Sequence, residues 1–392
     1  MPHILSYFIN KKLLGIYAMF FVLNEAYTVN ICKNLRSYNK FISIFFPQLL
    51  ILLVMLTISS CTTLKAQKLD APAHHTATGF RNLYIDDTKK TVFGFLAMRL
   101  FGDVKWADHE ARAREVPVER LKLKSIQSKP ENLRVSWLGH SSFLLQWKGL
   151  NILTDPIFAD RASPLSFVGP RRYIPHAIEY KNLPPIDYVI ISHNHYDHLD
   201  VVAVQLLGNS PIYLVPLRLK AWFLENGIKS DRIKELDWWD TAAFPNARFR
   251  ALPSQHWSAR GLFDRRKTLW ASWRINLKGV SIWFAGDTGY NDKQFKEIGS
   301  KLGPVDLALI PIGGYLPRSF MRFYHVNPNE AVKIHIDVKA KKSIGMHWGT
   351  FPLTAEGPAD PIIELSKQRK KLNMGQKTFI SMAVGETINI VP

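Results

Sequence analysis

The chain is 392 residues long, 47% hydrophobic and 12% aromatic, with a formal net charge of +19. This composition excludes a disordered or fibrous protein and supplies apolar surface for one large or two medium domains. Its two cysteines, Cys32 and Cys61, precede the region that carries the chemistry, which excludes a disulfide framework or a thiolate metal site there.

The positive charge suits an anionic partner, nucleic acid or membrane surface, and does not choose between them. Residues 1–40 mix apolar stretches with Lys11, Lys12, Lys33, Arg36 and Lys40 and carry no domain signal. Residues 41–58 are an almost unbroken apolar run, closed by Ile58-Ser59-Ser60-Cys61. A basic flank, an apolar stretch and small residues are the parts of a secretory signal. The closing tetrapeptide resembles a bacterial lipoprotein box, with cysteine where lipidation needs it. The same run approaches the ~20 apolar residues that span a bilayer, so a transmembrane anchor is the alternative. Residues 1–61 are therefore expected to be an N-terminal extension and anchor, tying the protein to a bacterial cell envelope on its periplasmic or outer-membrane side.

Residues 62–78 read as a polar linker in which His74 and His75 are exposed. Residues 79–132 read as an amphipathic segment. Within it TVFGFLAMRLFGDVKW puts Val92, Phe93, Leu96, Leu100, Phe101 and Val104 on one helical face, among Lys89, Lys90, Arg99 and Lys105. Such a helix packs on a core or meets an anionic lipid surface. From residue 133 to 392 the pattern changes to a catalytic domain. Residues 134–138, 142–147 and 151–154 form an opening antiparallel meander with turns at Gly139 and Gly149, ending at Asp155-Pro156. Strands and short helices then alternate, as in an α/β body: a strand at 187–191, a helix at 201–207, a strand at 212–215 and a helix at 220–226.

The densest chemistry follows the strand at 187–191, in Ser192-His193-Asn194-His195-Tyr196-Asp197-His198-Leu199-Asp200. His193 and His195, two apart in extended chain, project to one side, while Asp197 and His198 follow in a turn and reach a second centre nearby. H-x-H-x-D-H is thus a spacing that holds two metal ions side by side. Three further candidates stand just past apolar runs, where α/β folds gather their chemistry: His256, Asp287 and His347. The set balances chemically: His193, His195 and His256 hold one zinc, Asp197, His198 and His347 a second, and Asp287 bridges them. Nitrogen and oxygen ligands without thiolate fit zinc, with manganese or iron as alternatives. Two carboxylates against two divalent cations leave the site positive, favouring a bridging hydroxide and an anionic substrate such as a phosphodiester.

At these residues the chain resembles the metallo-β-lactamase fold superfamily, and within it the N-acylphosphatidylethanolamine-hydrolysing phospholipase D family. The longer signal comprises Ser136-Trp137-Leu138-Gly139-His140, Leu153-Thr154-Asp155-Pro156-Ile157-Phe158, Gly169-Pro170-Arg171-Arg172, Gln255-His256-Trp257, Gly286-Asp287-Thr288-Gly289-Tyr290, His325-Val326-Asn327-Pro328 and His347-Trp348-Gly349-Thr350. The resemblance implies a four-layer αβ/βα sandwich with a dinuclear zinc site between its sheets. It also implies cleavage of N-acylphosphatidylethanolamine to N-acylethanolamine and phosphatidate, with Tyr196 and His325 lining the site. Arg318 is a further candidate phosphate contact. The expected partners are a phospholipid and a membrane surface. The rivals are a lactonase-like or other small-molecule hydrolase of the same fold, an RNA-processing enzyme and a metal-holding envelope protein without catalysis. An exported protein lacking an aromatic RNA-stacking motif has no evident use for RNA, so no nucleic-acid partner is expected.

Overall fold

In a computed structural model, which describes residues 71–85 and 92–391, two seven-stranded sheets face each other across one core. The strands are β1 (Leu133–Gly139), β2 (Ser142–Trp147), β3 (Leu150–Thr154), β4 (Tyr188–Ile190), β5 (Ile212–Pro216), β6 (Ile233–Leu236), β7 (Thr241–Ala243), β8 (Ala247–Leu252), β9 (Ser272–Leu277), β10 (Val280–Phe284), β11 (Val305–Pro311), β12 (Ala340–Met346), β13 (Phe379–Ile380) and β14 (Thr387–Ile390). The first sheet runs β14-β1-β2-β3-β4-β5-β6 and the second β13-β12-β11-β10-β9-β8-β7. In each sheet antiparallel pairing at one side gives way to parallel pairing, at β3/β4 and at β10/β11. The helices are α1 (Val92–Phe101), α2 (Leu123–Ile126), α3 (Val201–Leu207), α4 (Lys220–Glu225), α5 (Gln294–Leu302), α6 (Arg318–Met321), α7 (Pro328–Asp337) and α8 (Asp360–Lys371).

Period-two alternation sorts the side chains of the first sheet. Val135, Trp137, Phe143, Leu145, Ile152, Ile190 and Leu214 point into the shared core, where they meet Phe249, Trp273, Ile282 and Leu309 of the second sheet. Leu144, Leu153, Val189, Tyr213 and Val215 point the other way, under Val204 and Leu207 of α3 and Phe223 of α4. On the second sheet α7 packs over β11 and β12 with Ala331, Val332 and Ile334. Helix, sheet, sheet and helix make the αβ/βα sandwich. Each fully buried Leu or Phe contributes about 2–3 kcal/mol.

The core tryptophans also reach the loops beyond the strands. Trp137 Nε1 donates to the carbonyl of His140, Trp273 Nε1 to that of Ile191 and Trp270 Nε1 to that of Ser254. Burial of these indoles thereby fixes three of the loops that carry the site.

The described residues belong to one compact unit, Asp70–Pro392. The anchor expected in residues 1–61 and the linker through residue 70 lie outside the described residues. The remainder of the expected linker is corrected. His74 is 5% exposed, and the imidazoles of His74 and His75 bond Asp237 at 2.6 and 2.7 Å, with His74 stacked on Trp238. A carboxylate on a distant strand end captured the pair, a partner that local composition cannot announce. Residue 133 is likewise no boundary, because Val116, Leu121 and Ile126 are buried and Val118 bridges to Val384. In α1, Phe95 packs on Trp106 and Phe320, while Leu100 and Phe101 are 70% and 85% exposed. Among the described residues no helix is long and apolar enough to cross a membrane.

Candidate metal centre

All the loops after β4, β8, β10 and β12 open at one edge of the sandwich, and each delivers a candidate ligand. The turn after β4 is tight: the amides of His198 and Leu199 both donate to the carbonyl of His195. Asp200 closes it by capping α3, accepting from the amides of Val202 and Ala203 and also from those of Phe158 and Ala159. An N-cap of this kind is worth about 1 kcal/mol. Gly286, at φ +58°, lets the chain pass Ser192 just before Asp287, where a Cβ would stand 2.7 Å from the Ser192 Cβ.

Two groups of ligand atoms result. In the first, His195 Nδ1 lies 2.8 Å from His193 Nε2 and 3.2 Å from His256 Nε2. In the second, Asp197 Oδ2 lies 3.4 Å from both His198 Nε2 and His347 Nε2. Asp287 Oδ2 stands between them, 3.1 and 3.0 Å from His198 and His347 and 3.9 and 3.8 Å from His193 and His256. Gly314, at φ +79°, leaves room for the His347 and His325 rings. His325 Nδ1 comes within 3.9 Å of Asp287 Oδ2.

These atoms fit divalent ions. Buried His195 Nε2, His325 Nδ1 and Asp287 Oδ1 have no hydrogen-bond partner, and unpaired buried polar atoms gathered in one place call for an ion or ligand. The electrostatics divide the histidines. Burial pushes His195, His256 and His325 down to about 3 and His193 well below its ordinary value, so all four stay neutral. Burial also opposes charge on His347 and His198, but the carboxylates outweigh it. Asp287 and Asp197 raise His347 to about 9 and hold His198 well above its usual range. Burial resists ionisation of Asp197 and Asp287 too, yet His198 leads the groups that keep both well below the usual carboxylate range.

Three site residues escaped the sequence reading as participants. Asp155, fully buried, accepts from Ser192 N, Ser192 Oγ and His198 Nδ1 at 2.7, 2.6 and 2.7 Å. It fixes the His198 tautomer and leaves Nε2 for a metal. Ser192 completes that contact. His140, at φ +51°, bonds Asp197 Oδ2 through Nε2 at 3.0 Å, and its carbonyl accepts from the amide of His347. Its place in the Trp-Leu-Gly-His stretch and the position of Asp155 at the end of β3, beside β4, were the available signals.

Two candidates have other tasks. Arg318 donates through Nη2 to both oxygens of Glu330 and through Nη1 to the His325 carbonyl, so those donors are spent on holding the His325 loop. Tyr196 donates its hydroxyl to the Arg260 carbonyl, and the Arg260 guanidinium covers its ring at 4.0 Å. The ring lines a pocket of about 280 Å³ with Arg161, Trp222 and Arg260.

Residues 150–348 match the family model described as a beta-lactamase superfamily domain. The chain is 41% identical over 285 residues to N-acyl-phosphatidylethanolamine-hydrolyzing phospholipase D 1 of Caenorhabditis elegans, covering 69% of this chain and 79% of that protein. It belongs to the N-acylphosphatidylethanolamine-hydrolysing phospholipase D family of the metallo-β-lactamase superfamily. The mitochondrial member of Saccharomyces cerevisiae is 37% identical over 234 residues, 58% of this chain and 49% of the yeast protein. Among solved structures, the isothiocyanate hydrolase from Delia radicum gut bacteria superposes with a TM-score of 0.54 at 17% identity, covering 66% of this chain and all of that one. That likeness shows the shared fold. As a member of this phospholipase D family the chain is a metal-dependent hydrolase.

Proposed function

We propose that the protein is a zinc-dependent phosphodiesterase that hydrolyses N-acylphosphatidylethanolamine to N-acylethanolamine and phosphatidate. The observation that carries this reading is the pair of ligand groups joined at Asp287 Oδ2, in a chain 41% identical to a relative named for that reaction. Two divalent ions held there supply a water nucleophile of lowered pKa and positive charge for phosphate oxygens. His193, His195 and His256 are the residues for one ion, and Asp197, His198 and His347 for the other, with Asp287 shared. His325, kept neutral by burial and with Nδ1 free, presents a hydrogen-bonding nitrogen to a phosphate beside Asp287. His140 and Asp155 hold Asp197 and His198 in place.

The reading extends to a membrane surface at the bacterial cell envelope. Leu165, Phe167 and Val168 follow Arg161, and Leu262 and Phe263 follow Arg260; both arginines line the pocket that contains Tyr196. Phe167 and Phe263 are 77% and 85% exposed, apolar tips on the two loops that carry these arginines, which suits a lipid interface.

The test is turnover of N-acylphosphatidylethanolamine in mixed micelles by the zinc-loaded protein beside His195→Ala. Paired release of N-acylethanolamine and phosphatidate by wild type alone supports the proposal. Zinc binding with cleavage of a generic phosphodiester, but no lipid products, moves the substrate to a smaller molecule.

A further inference from the structure

Metal ligand His256 sits outside the strands, on the loop after β8, and its ring is set by Nδ1, which donates to the Tyr324 carbonyl at 3.0 Å. Its backbone is held by a residue far away in sequence. Asn82 Nδ2 donates to the His256 carbonyl at 2.9 Å, and the His256 amide donates to Asn82 Oδ1 at 3.1 Å. One side-chain amide thus pairs with both backbone groups of the ligand, as a neighbouring strand would, and both residues are buried. Buried backbone groups demand such partners.

Asn82 is itself fixed by the segment around it. The Phe80 ring is buried, its amide donates to the Arg266 carbonyl, and Arg218 lies over the ring at 4.9 Å. Upstream, Thr76 Oγ1 accepts from the Gly79 amide, and His74 and His75 grip Asp237. Residues 71–85 are therefore a strap laid along the His256 loop and pinned at both ends.

We infer that this strap is part of the metal centre, with Asn82 as the positioning residue that aims His256 at the ion shared with His193 and His195. The inference rests on the metal-site reading and is independent of the lipid substrate. Without Asn82 the His256 backbone loses both partners, the loop relaxes, and Nε2 no longer holds its place 3.2 Å from His195 Nδ1.

The test titrates the metal-free full-length protein, in detergent, with Zn²⁺ or Co²⁺ against a chelating competitor. Asn82→Ala weakens one of the two ions about 10- to 100-fold, the usual loss when an outer partner of a ligand is removed. The other ion keeps its affinity, and the cobalt absorption of the weakened ion changes. Thr76→Val, which loosens the strap away from His256, leaves both ions tight. Should the alanine variant fail to fold, Asn82→Asp preserves the shape and the acceptor for the His256 amide but removes the donor to its carbonyl, and carries the same expectation. Wild-type affinity for both ions, or equal weakening of both ions in Asn82→Ala and Thr76→Val, overturns the inference. Metal affinity is read without substrate, so failure of the lipid assay leaves this result standing.

Discussion

Replacing Asp155 by asparagine keeps the size of a fully buried side chain and changes only its hydrogen bonding. The carboxylate accepts from Ser192 N, Ser192 Oγ and His198 Nδ1. An amide offers one acceptor oxygen, and its NH₂ faces donors, so at least one buried N–H is left unpaired at a cost of about 1–3 kcal/mol. If His198 instead turns its proton to Nε2, it loses the lone pair a metal needs. At about 1.4 kcal/mol per decade, this amounts to roughly 10- to 100-fold in affinity for the ion at Asp197, His198 and His347. Competition with a chelator, with metal counted per chain, reads the loss directly. The His193, His195 and His256 ion should be affected less, since Asp155 reaches that group only through Ser192 Oγ, which stands 2.9 Å from His193 Nδ1. Unchanged affinity for both ions in Asp155→Asn would refute the role assigned to Asp155.

Other outcomes follow from the same geometry. Arg318→Ala removes the guanidinium from Glu330, which keeps only the Asn327 amide, and from the His325 carbonyl, so it should lower thermal stability by about 1–2 kcal/mol; an effect on KM for a soluble phosphodiester with stability unchanged would restore a direct phosphate contact. His347, raised to about 9 by Asp287 and Asp197 against its burial, carries a proton at neutral pH in the metal-free protein. The incoming ion displaces it, so affinity should fall as pH drops below about 9, and calorimetry at pH 7 in buffers of different ionisation enthalpy should register proton release; no release contradicts the assignment. Removing residues 1–69 should preserve metal binding and soluble phosphodiester cleavage, whereas removing residues 1–85 should abolish tight binding of one ion, because Asn82 is lost. Phe167→Asp with Phe263→Asp should slow turnover of lipid in anionic vesicles at least tenfold while leaving a soluble phosphodiester unchanged; equal rates on vesicles would remove these tips from the interface.

Local pattern carried much of the fold. The meander of β1 to β3 and the strands and helices from β4 through α4 are each a short apolar run bounded by Gly, Pro or a cap, and they lie where periodicity puts them. The ligands were legible because each stands just beyond such a run: His193, His256, Asp287 and His347 follow β4, β8, β10 and β12. What pattern could not carry was pairing at long range. His74 and His75 read as solvated linker until Asp237, more than 160 residues on, closes on them. Asn82 reaches across 174 positions to His256, and Arg318, read from the sequence as a candidate phosphate contact, is claimed by Glu330 of the capping arrangement at the start of α7. Asp155 shows the intermediate case: its place at a strand end was visible, but its role required knowing that β3 lies beside β4 in parallel.

The most direct measurement is hydrolysis of N-acylphosphatidylethanolamine by the zinc-loaded protein in ¹⁸O-labelled water, with both products weighed by mass spectrometry. The account predicts one labelled oxygen in phosphatidate and none in N-acylethanolamine, as attack on phosphorus requires. Label in the N-acylethanolamine, or no lipid product from protein with both ions bound, would contradict it.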